Sequence, residues 1–250
     1  MKRNLLYNLP VANVDMKEAV AAVEKILQVQ TYAAAPFLIF AANPEKITRA
    51  STDKELLSIL QQSDLLIPDG IGLVWASRLL RQPLRERVTG FDLMQKLIHL
   101  AASRDFRIFL LGSKPEVVEK AAAKLSSQYP SLKIAGYHHG YFDSGEEEKV
   151  IGLINRSQPD ILFVGMGSPR QEKWLFHHRH RLQVKVAMGV GGSLDVISGR
   201  LRRAPLLFRR LGLEWFYRGL REPKRFYRFR FLLTFLRLTW QEYRQKNNPR

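Results

Sequence analysis

"DILFVGMGSPRQEKW", residues 160–174, is the stretch on which the fold turns. Ile161 to Val164 form a continuous apolar run. Gly165 and Gly167 end it, Ser168 and Pro169 follow, and Gln171 and Glu172 stand where a helix should begin. So short a run, without polar alternation, suits a strand covered on both faces, as in a parallel sheet with helices on either side. Glycines let a backbone approach a ligand closely. A helix starting near Pro169 presents unpaired N–H groups and the positive end of its dipole to an anion.

The same unit recurs along the chain. Strand-like runs stand at 37–42 (FLIFAA), 65–68 (LLIP), 107–112 (RIFLLG), 133–137 (KIAGY) and 184–192 (VKVAMGVGG), with helical patterns between them. Asp15 and Glu18 have the spacing of a capping box, and Pro115 fits the first turn of a helix over EVVEKAAAKL. The alternation predicts an α/β fold, a Rossmann-like open, mostly parallel sheet flanked by helices. It stops near Gly199, which divides the chain into an α/β core over 1–199 and a basic helical appendage over 200–250.

Composition excludes several classes. A chain of 250 residues, 46% hydrophobic and 25% charged, can bury a substantial core. With no cysteine it has no disulfide, thiol nucleophile or thiolate-bound metal. The formal net charge is +17, of which +12 falls in residues 200–250. Such a tail calls for an anionic partner, either nucleic acid or an acidic membrane surface. Asn8, Pro10, Asn13 and Asp15 interrupt the apolar stretch that an export signal would need, so the N-terminus reads as retained. No run approaches the roughly 18–20 apolar residues of a membrane span.

In open α/β sheets ligands bind beyond the carboxyl ends of the strands, so the loops there hold the candidates. The glycine turns at 165–167 and at 189–192 lack both the Walker pattern and a complete G-x-G-x-x-G, since Arg170 and Leu194 stand where the last glycine belongs. Neither an ATP loop nor a nicotinamide site is supported. Asp69, directly after a strand, either caps a helix or accepts a proton from an attacking hydroxyl. Asn43 either caps a helix or hydrogen-bonds a polar ligand. Arg87, Thr89 and Asp92 surround Gly90, where an arginine can pair with phosphate. His177, His178 and His180 do not form HExxH, and the nine aspartates include no D-x-D pair, so no metal and no cofactor is expected.

In their order and spacing, Asn43-Pro44-Glu45, Asp69-Gly70, Arg87-x-x-Gly90-x-Asp92, FLLGSKPEV, GSPRQE, GVGGSLD, RAP, LEWFYR and REPKRFYR resemble the WecG/TagA/CpsF glycosyltransferases, glycosyltransferase family 26. The resemblance implies a metal-independent, inverting transfer from a UDP-activated sugar donor to a polyprenyl-diphosphate-linked sugar, N-acetylglucosamine, in bacterial surface polysaccharide synthesis. It places the general base on Asp69, with Arg87 and Gln171 in the catalytic site. Substrate contacts fall on Asn43, Thr89, Gly112, Gly167, Gly191, Asp195, Arg218, Arg225 and Arg228. Asp195 matches a position associated with the nucleotide base, and the three last arginines match an element that closes over the core. Ala41 replaces a threonine of the teichoic branch, and "AAN" and "MGSPRQE" look closer to the branch transferring N-acetylmannosaminuronic acid. N-acetylmannosamine is the other expected sugar, and a glucosyl or other hexosyl transfer the alternative.

The tail adds a membrane expectation. At about 100° per residue, Phe229, Leu232, Leu233, Leu236, Trp240 and Tyr243 fall on one arc of a helix and Phe231, Phe235 and Leu238 on a second, with Arg230, Arg237 and Arg244 between. One arc can pack on the protein while the other enters an anionic membrane surface, which makes the chain peripheral on the inner face of the cytoplasmic membrane. A homo-oligomer is the other use of such a face. No nucleic acid is expected, because a nucleic-acid-binding reading leaves the strand-end loops idle.

Overall fold

The computed structural model describes residues 1–250 apart from 32, 211–213, 215, 216, 218–228 and 248–250. Arg218, Arg225 and Arg228 therefore lie outside the described residues.

Six strands, β3 (Phe37–Ala42), β4 (Leu65–Pro68), β5 (Arg107–Gly112), β6 (Lys133–His138), β7 (Ile161–Gly165) and β8 (Val186–Gly189), form one sheet in the order β4-β3-β8-β7-β5-β6. Every pairing in it is parallel. Along β3, Leu38, Phe40 and Ala42 enter one core while Ile39 and Ala41 enter the other, which is why the run is apolar without alternation. Helices α1 (Met16–Leu27), α5 (Gly90–Arg104), α6 (Pro115–Gln128) and α9 (Ser193–Ser198) cover one face. The other face is covered by α2 (Pro44–Ala50), α3 (Lys54–Gln61), α4 (Ile71–Leu79), α7 (Glu147–Ser157) and α8 (Arg170–His178). Asp15 and Glu18 close the capping box of α1, and Pro115 opens α6.

A hairpin of β1 (Arg3–Leu6) and β2 (Leu9–Ala12) precedes the sheet. Its turn residues Tyr7 and Asn8 both have positive φ, 54° and 60°, the backbone of a two-residue hairpin turn that matches strand twist. The turn meets the tail. Tyr7 N donates to Glu242 Oε2 at 2.9 Å, and its hydroxyl lies 2.6 Å from Thr239 Oγ1. Burial pushes the Tyr7 phenol well above its ordinary range.

The tail residues Thr239 and Glu242 belong to α11 (Phe229–Asn247), which follows the short α10 (Leu206–Arg210). Phe235 is 2% exposed and sits in the same core cluster as Ile47 of α2, with Leu238 and Tyr243 packed against it. Thr48 Oγ1 donates to the Phe231 carbonyl at 3.2 Å, and the Arg49 guanidinium lies over the Phe231 ring. On the other side of α11, Leu233 is 70% exposed and Trp240 52%, with Leu236, Arg230, Arg237 and Arg244 exposed beside them. No described helix is long and apolar enough to cross a membrane.

Candidate active site

β3 and β8 are neighbours, yet α2 after β3 packs on one face of the sheet and α9 after β8 on the other. Such divergence opens a crevice at the carboxyl edge. The loops that follow β3, β4, β5, β7 and β8 bring Asn43, Asp69, Gly112, Gly167 and Gly191 to that edge.

The glycines are dictated by two different constraints. At Gly112, φ is +135° and a Cβ would stand 2.4 Å from the Gly165 carbonyl oxygen, so only glycine fits. Gly167 (φ +80°) and Gly191 (φ +54°) need the left-handed backbone, but a Cβ there would meet nothing within 4 Å. They face open space, the room a ligand requires. The helices around that space are uncapped: neither α6 nor α8 has a side-chain hydrogen bond at its N-terminus, whereas Asp15, Asn43, Asp53 and Thr89 cap α1, α2, α3 and α5. The positive ends of these helices therefore face the glycine side without a side chain over them, where they suit an anion such as a diphosphate. Asp195, at the start of α9, accepts from Ser113 Oγ at 3.2 Å and pairs with Arg200 at 3.4 Å.

Asp69 does not cap the helix after it, since the N-cap of α4 is Gly70 and no side chain bonds there. Instead its Oδ2 accepts from Gly90 N at 3.3 Å, and its own N–H is fixed to the Ala42 carbonyl at 2.8 Å. Burial lifts its carboxyl above the ordinary range. The Gly90 N–H and the charges of Arg87 and Lys46 oppose that rise, and the carboxylate of Glu214 adds to it. A half-buried carboxyl with raised affinity for a proton is the chemistry of a general base.

The other expected residues are placed differently from one another. Asn43 Oδ1 accepts from Lys46 N at 2.9 Å, so the capping alternative is realised. Thr89 is buried, caps α5 and shares a 2.6 Å hydrogen bond with Asp92. Arg87 donates to the Arg209 carbonyl at 2.7 Å and lies 3.8 Å from Glu214 Oε2. Gln171 is buried and braces the crevice. Its Oε1 accepts from Gly191 N at 2.9 Å, and its Nε2 donates to Glu172 Oε1 at 2.9 Å. His177 pairs with Glu55 and His178 with Glu147, away from the crevice loops.

Two groups were missed in the sequence. Lys46 Nζ lies 2.7 Å from Glu172 Oε1, an ion pair between α2 and α8 in which Glu172 is 0% exposed. Arg203 joins Asp92 at 2.6 Å and Glu214 at 3.4 Å. Lys46 directly follows Asn43-Pro44-Glu45 and Glu172 ends GSPRQE, so proximity to those motifs was the available signal.

Fold and site together define an α/β enzyme with a glycine-lined crevice at the carboxyl edge of an open parallel sheet. The model of the glycosyl transferase WecG/TagA/CpsF family matches residues 4–250, and the chain belongs to that family. It is a glycosyltransferase. Relatives from Staphylococcus aureus strains MW2, NCTC 8325 / PS 47 and MRSA252 are each 42% identical over 198 residues, covering 79% of this chain and 77% of theirs. Each is named N-acetylglucosaminyldiphosphoundecaprenol N-acetyl-beta-D-mannosaminyltransferase. Of the two sugars expected from the sequence, that name carries N-acetylmannosamine.

Proposed function

We propose that this enzyme transfers N-acetylmannosamine, or its uronic acid, from a UDP donor to the N-acetylglucosamine of a polyprenyl diphosphate, with inversion at the anomeric carbon. The observation that carries the reading is Asp69, a carboxylate of raised proton affinity that caps no helix and is held by the Gly90 N–H at the carboxyl edge of the sheet. The acceptor hydroxyl gives its proton to Asp69 as its oxygen bonds the anomeric carbon from the face opposite UDP. The bond from that carbon to the diphosphate breaks with its electron pair on UDP. The N-terminal ends of α6 and α8 stabilise the departing charge, Arg87 adds positive charge, and Gln171 holds the β8 loop against α8.

The acceptor is a lipid, and the exposed arc of α11 supports a peripheral seat on an anionic membrane face. Leu233, Leu236 and Trp240 would enter the interface while Arg230, Arg237 and Arg244 reach headgroups, each arginine contributing about 1 kcal/mol. Arg218, Arg225 and Arg228 are proposed to meet the diphosphate from the same appendage. The test is UDP release from a panel of UDP-N-acetylhexosamines and uronic acids with a soluble lipid-diphosphate-N-acetylglucosamine analogue. Release with the N-acetylmannosamine-type donors, dependent on acceptor, is expected. Acceptor-dependent release only with a glucosyl donor would replace the sugar in this reading, and none with any donor would overturn it. For the membrane seat, the intact protein should float with anionic vesicles and less at high salt; failure to float would reassign the arc to an intersubunit contact.

A further inference from the structure

Four charged side chains form a chain of contacts across the mouth of the site. Arg87 Nη1 lies 3.8 Å from Glu214 Oε2, Arg203 Nε is 3.4 Å from Glu214 Oε1, and Arg203 Nη2 is 2.6 Å from Asp92 Oδ1. Asp92 Oδ2 bonds Thr89 Oγ1 at 2.6 Å, and Gly90, the next residue, donates its N–H to Asp69. The Arg203 guanidinium also covers the Phe91 ring at 4.4 Å. All four side chains are at least partly withdrawn from solvent, Arg87 and Glu214 both to 19% exposure. Two of them, Arg203 and Glu214, come from the segment after Gly199; Arg87 precedes α5 and Asp92 lies in its first turn, beside the Gly90 N–H that holds Asp69.

We propose that Glu214 is a positioning residue for the transfer: by bridging Arg87 and Arg203 it fixes both arginines against the start of α5, whose Gly90 N–H holds the catalytic carboxylate. The proposal rests on the reading of Asp69 as the base. The Arg87 charge acts on Asp69 and favours its ionised, weakly basic form. With Glu214 in place, Arg87 is shared between that carboxylate and the Arg209 carbonyl. The charged groups that bear on Asp69 are then Arg87 from the segment before α5, Lys46 from α2 and Glu214 from the tail, and Glu214 is the one whose charge favours proton uptake. Glu214 therefore both holds Arg87 and Arg203 in place and favours the proton-binding form of the base.

The sign follows directly. Removing the Glu214 charge leaves Arg87 and Lys46 less opposed, so Asp69 binds its proton less tightly and its titration midpoint falls. Glu214→Gln and Glu214→Asp are compared with wild type in the full chain, with carboxyl-labelled aspartate and the Asp69 signal identified through Asp69→Asn. Carbon NMR titration reads the midpoint without any substrate, so it stands even if the donor sugar is other than proposed. The midpoint should fall in Glu214→Gln and stay near wild type in Glu214→Asp, while Glu214→Gln loses turnover by roughly 10- to 100-fold, the scale of a sub-ångström to 1 Å misplacement. Arg203→Gln loosens the same bridge but removes a positive charge, so turnover should drop without the midpoint falling. An Asp69 midpoint unchanged in a folded Glu214→Gln protein would overturn the proposal, as would faster turnover, which would make Glu214 a brake on Arg87.

Discussion

Replacing Lys46 by Met tests whether the buried pair between α2 and α8 holds the crevice together. Lys46 Nζ lies 2.7 Å from Glu172 Oε1, with side-chain exposures of 7% and 0%. Gln171 Nε2 donates to the same oxygen, and Glu172 Oε2 has no hydrogen-bond partner among the described residues. Methionine fills the volume of the lysine stem but leaves a carboxylate sealed from water with one amide N–H for company. Breaking a buried pair from one side costs about 3–5 kcal/mol. At about 2–4 °C per kcal/mol for a chain of this size, the melting temperature should fall by roughly 6–20 °C. Adding Glu172→Gln removes the stranded charge and should restore at least half of the loss, because the pair itself contributes little net stability over neutral neighbours. Thermal and urea unfolding of the two variants give the numbers. Hydrogen exchange over 189–195 gives the link to the site, since Gln171 relays the pair to Gly191 N. A Lys46→Met protein that melts within about 2 °C of wild type, with unchanged exchange at 189–195, would refute this reasoning.

Three further outcomes are expected. Asp69→Asn should keep the fold and bind UDP as wild type does while turnover falls by roughly 10² to 10⁴, and the loss of wild-type rate as pH drops through the raised Asp69 value should vanish from the residual activity; steady-state rates across pH and calorimetric UDP binding check both. Gly112→Ala forces a Cβ to within 2.4 Å of a backbone oxygen at φ +135°, so urea denaturation should show a loss of more than about 1–3 kcal/mol. Phe235→Ala empties a fully enclosed site under α11 at a cost of about 3–5 kcal/mol, and limited proteolysis should release the tail helix while the sheet stays intact.

The sheet was legible because β3, β4, β5, β7 and β8 are apolar over nearly their whole length, as the two cores demand, while the edge strand β6 is only partly buried. FLIFAA, LLIP and RIFLLG coincide with β3, β4 and β5 residue for residue, and the glycine turn at 165–167 ends β7 as its sequence requires. The hairpin at Arg3–Leu6 and Leu9–Ala12 was not legible. Its turn is Tyr7-Asn8 without the usual glycine, and Pro10 sits inside the second strand. Single residues were readable where backbone geometry fixes them, as at Gly112, and ambiguous where a side chain has two uses. Asn43 turned out to cap α2, whereas Asp69 does not cap α4; the local sequence of each allowed both. The partners of Gln171 and Arg87 lie far along the chain, at Gly191 and at Arg209 and Glu214, so only the packed structure reveals that one braces a loop and the other is held by the tail.

The proposed transfer is a displacement at the anomeric carbon with Asp69 taking the proton. Its most direct test is the product formed from UDP-N-acetylmannosamine and a lipid-diphosphate-N-acetylglucosamine analogue, analysed by mass and by anomeric coupling in NMR. The expected product is an acceptor heavier by one N-acetylhexosaminyl residue, with the anomeric configuration opposite to that of the donor, formed by wild type and nearly absent with Asp69→Asn. A product of retained configuration, or one made at the wild-type rate by Asp69→Asn, would contradict it.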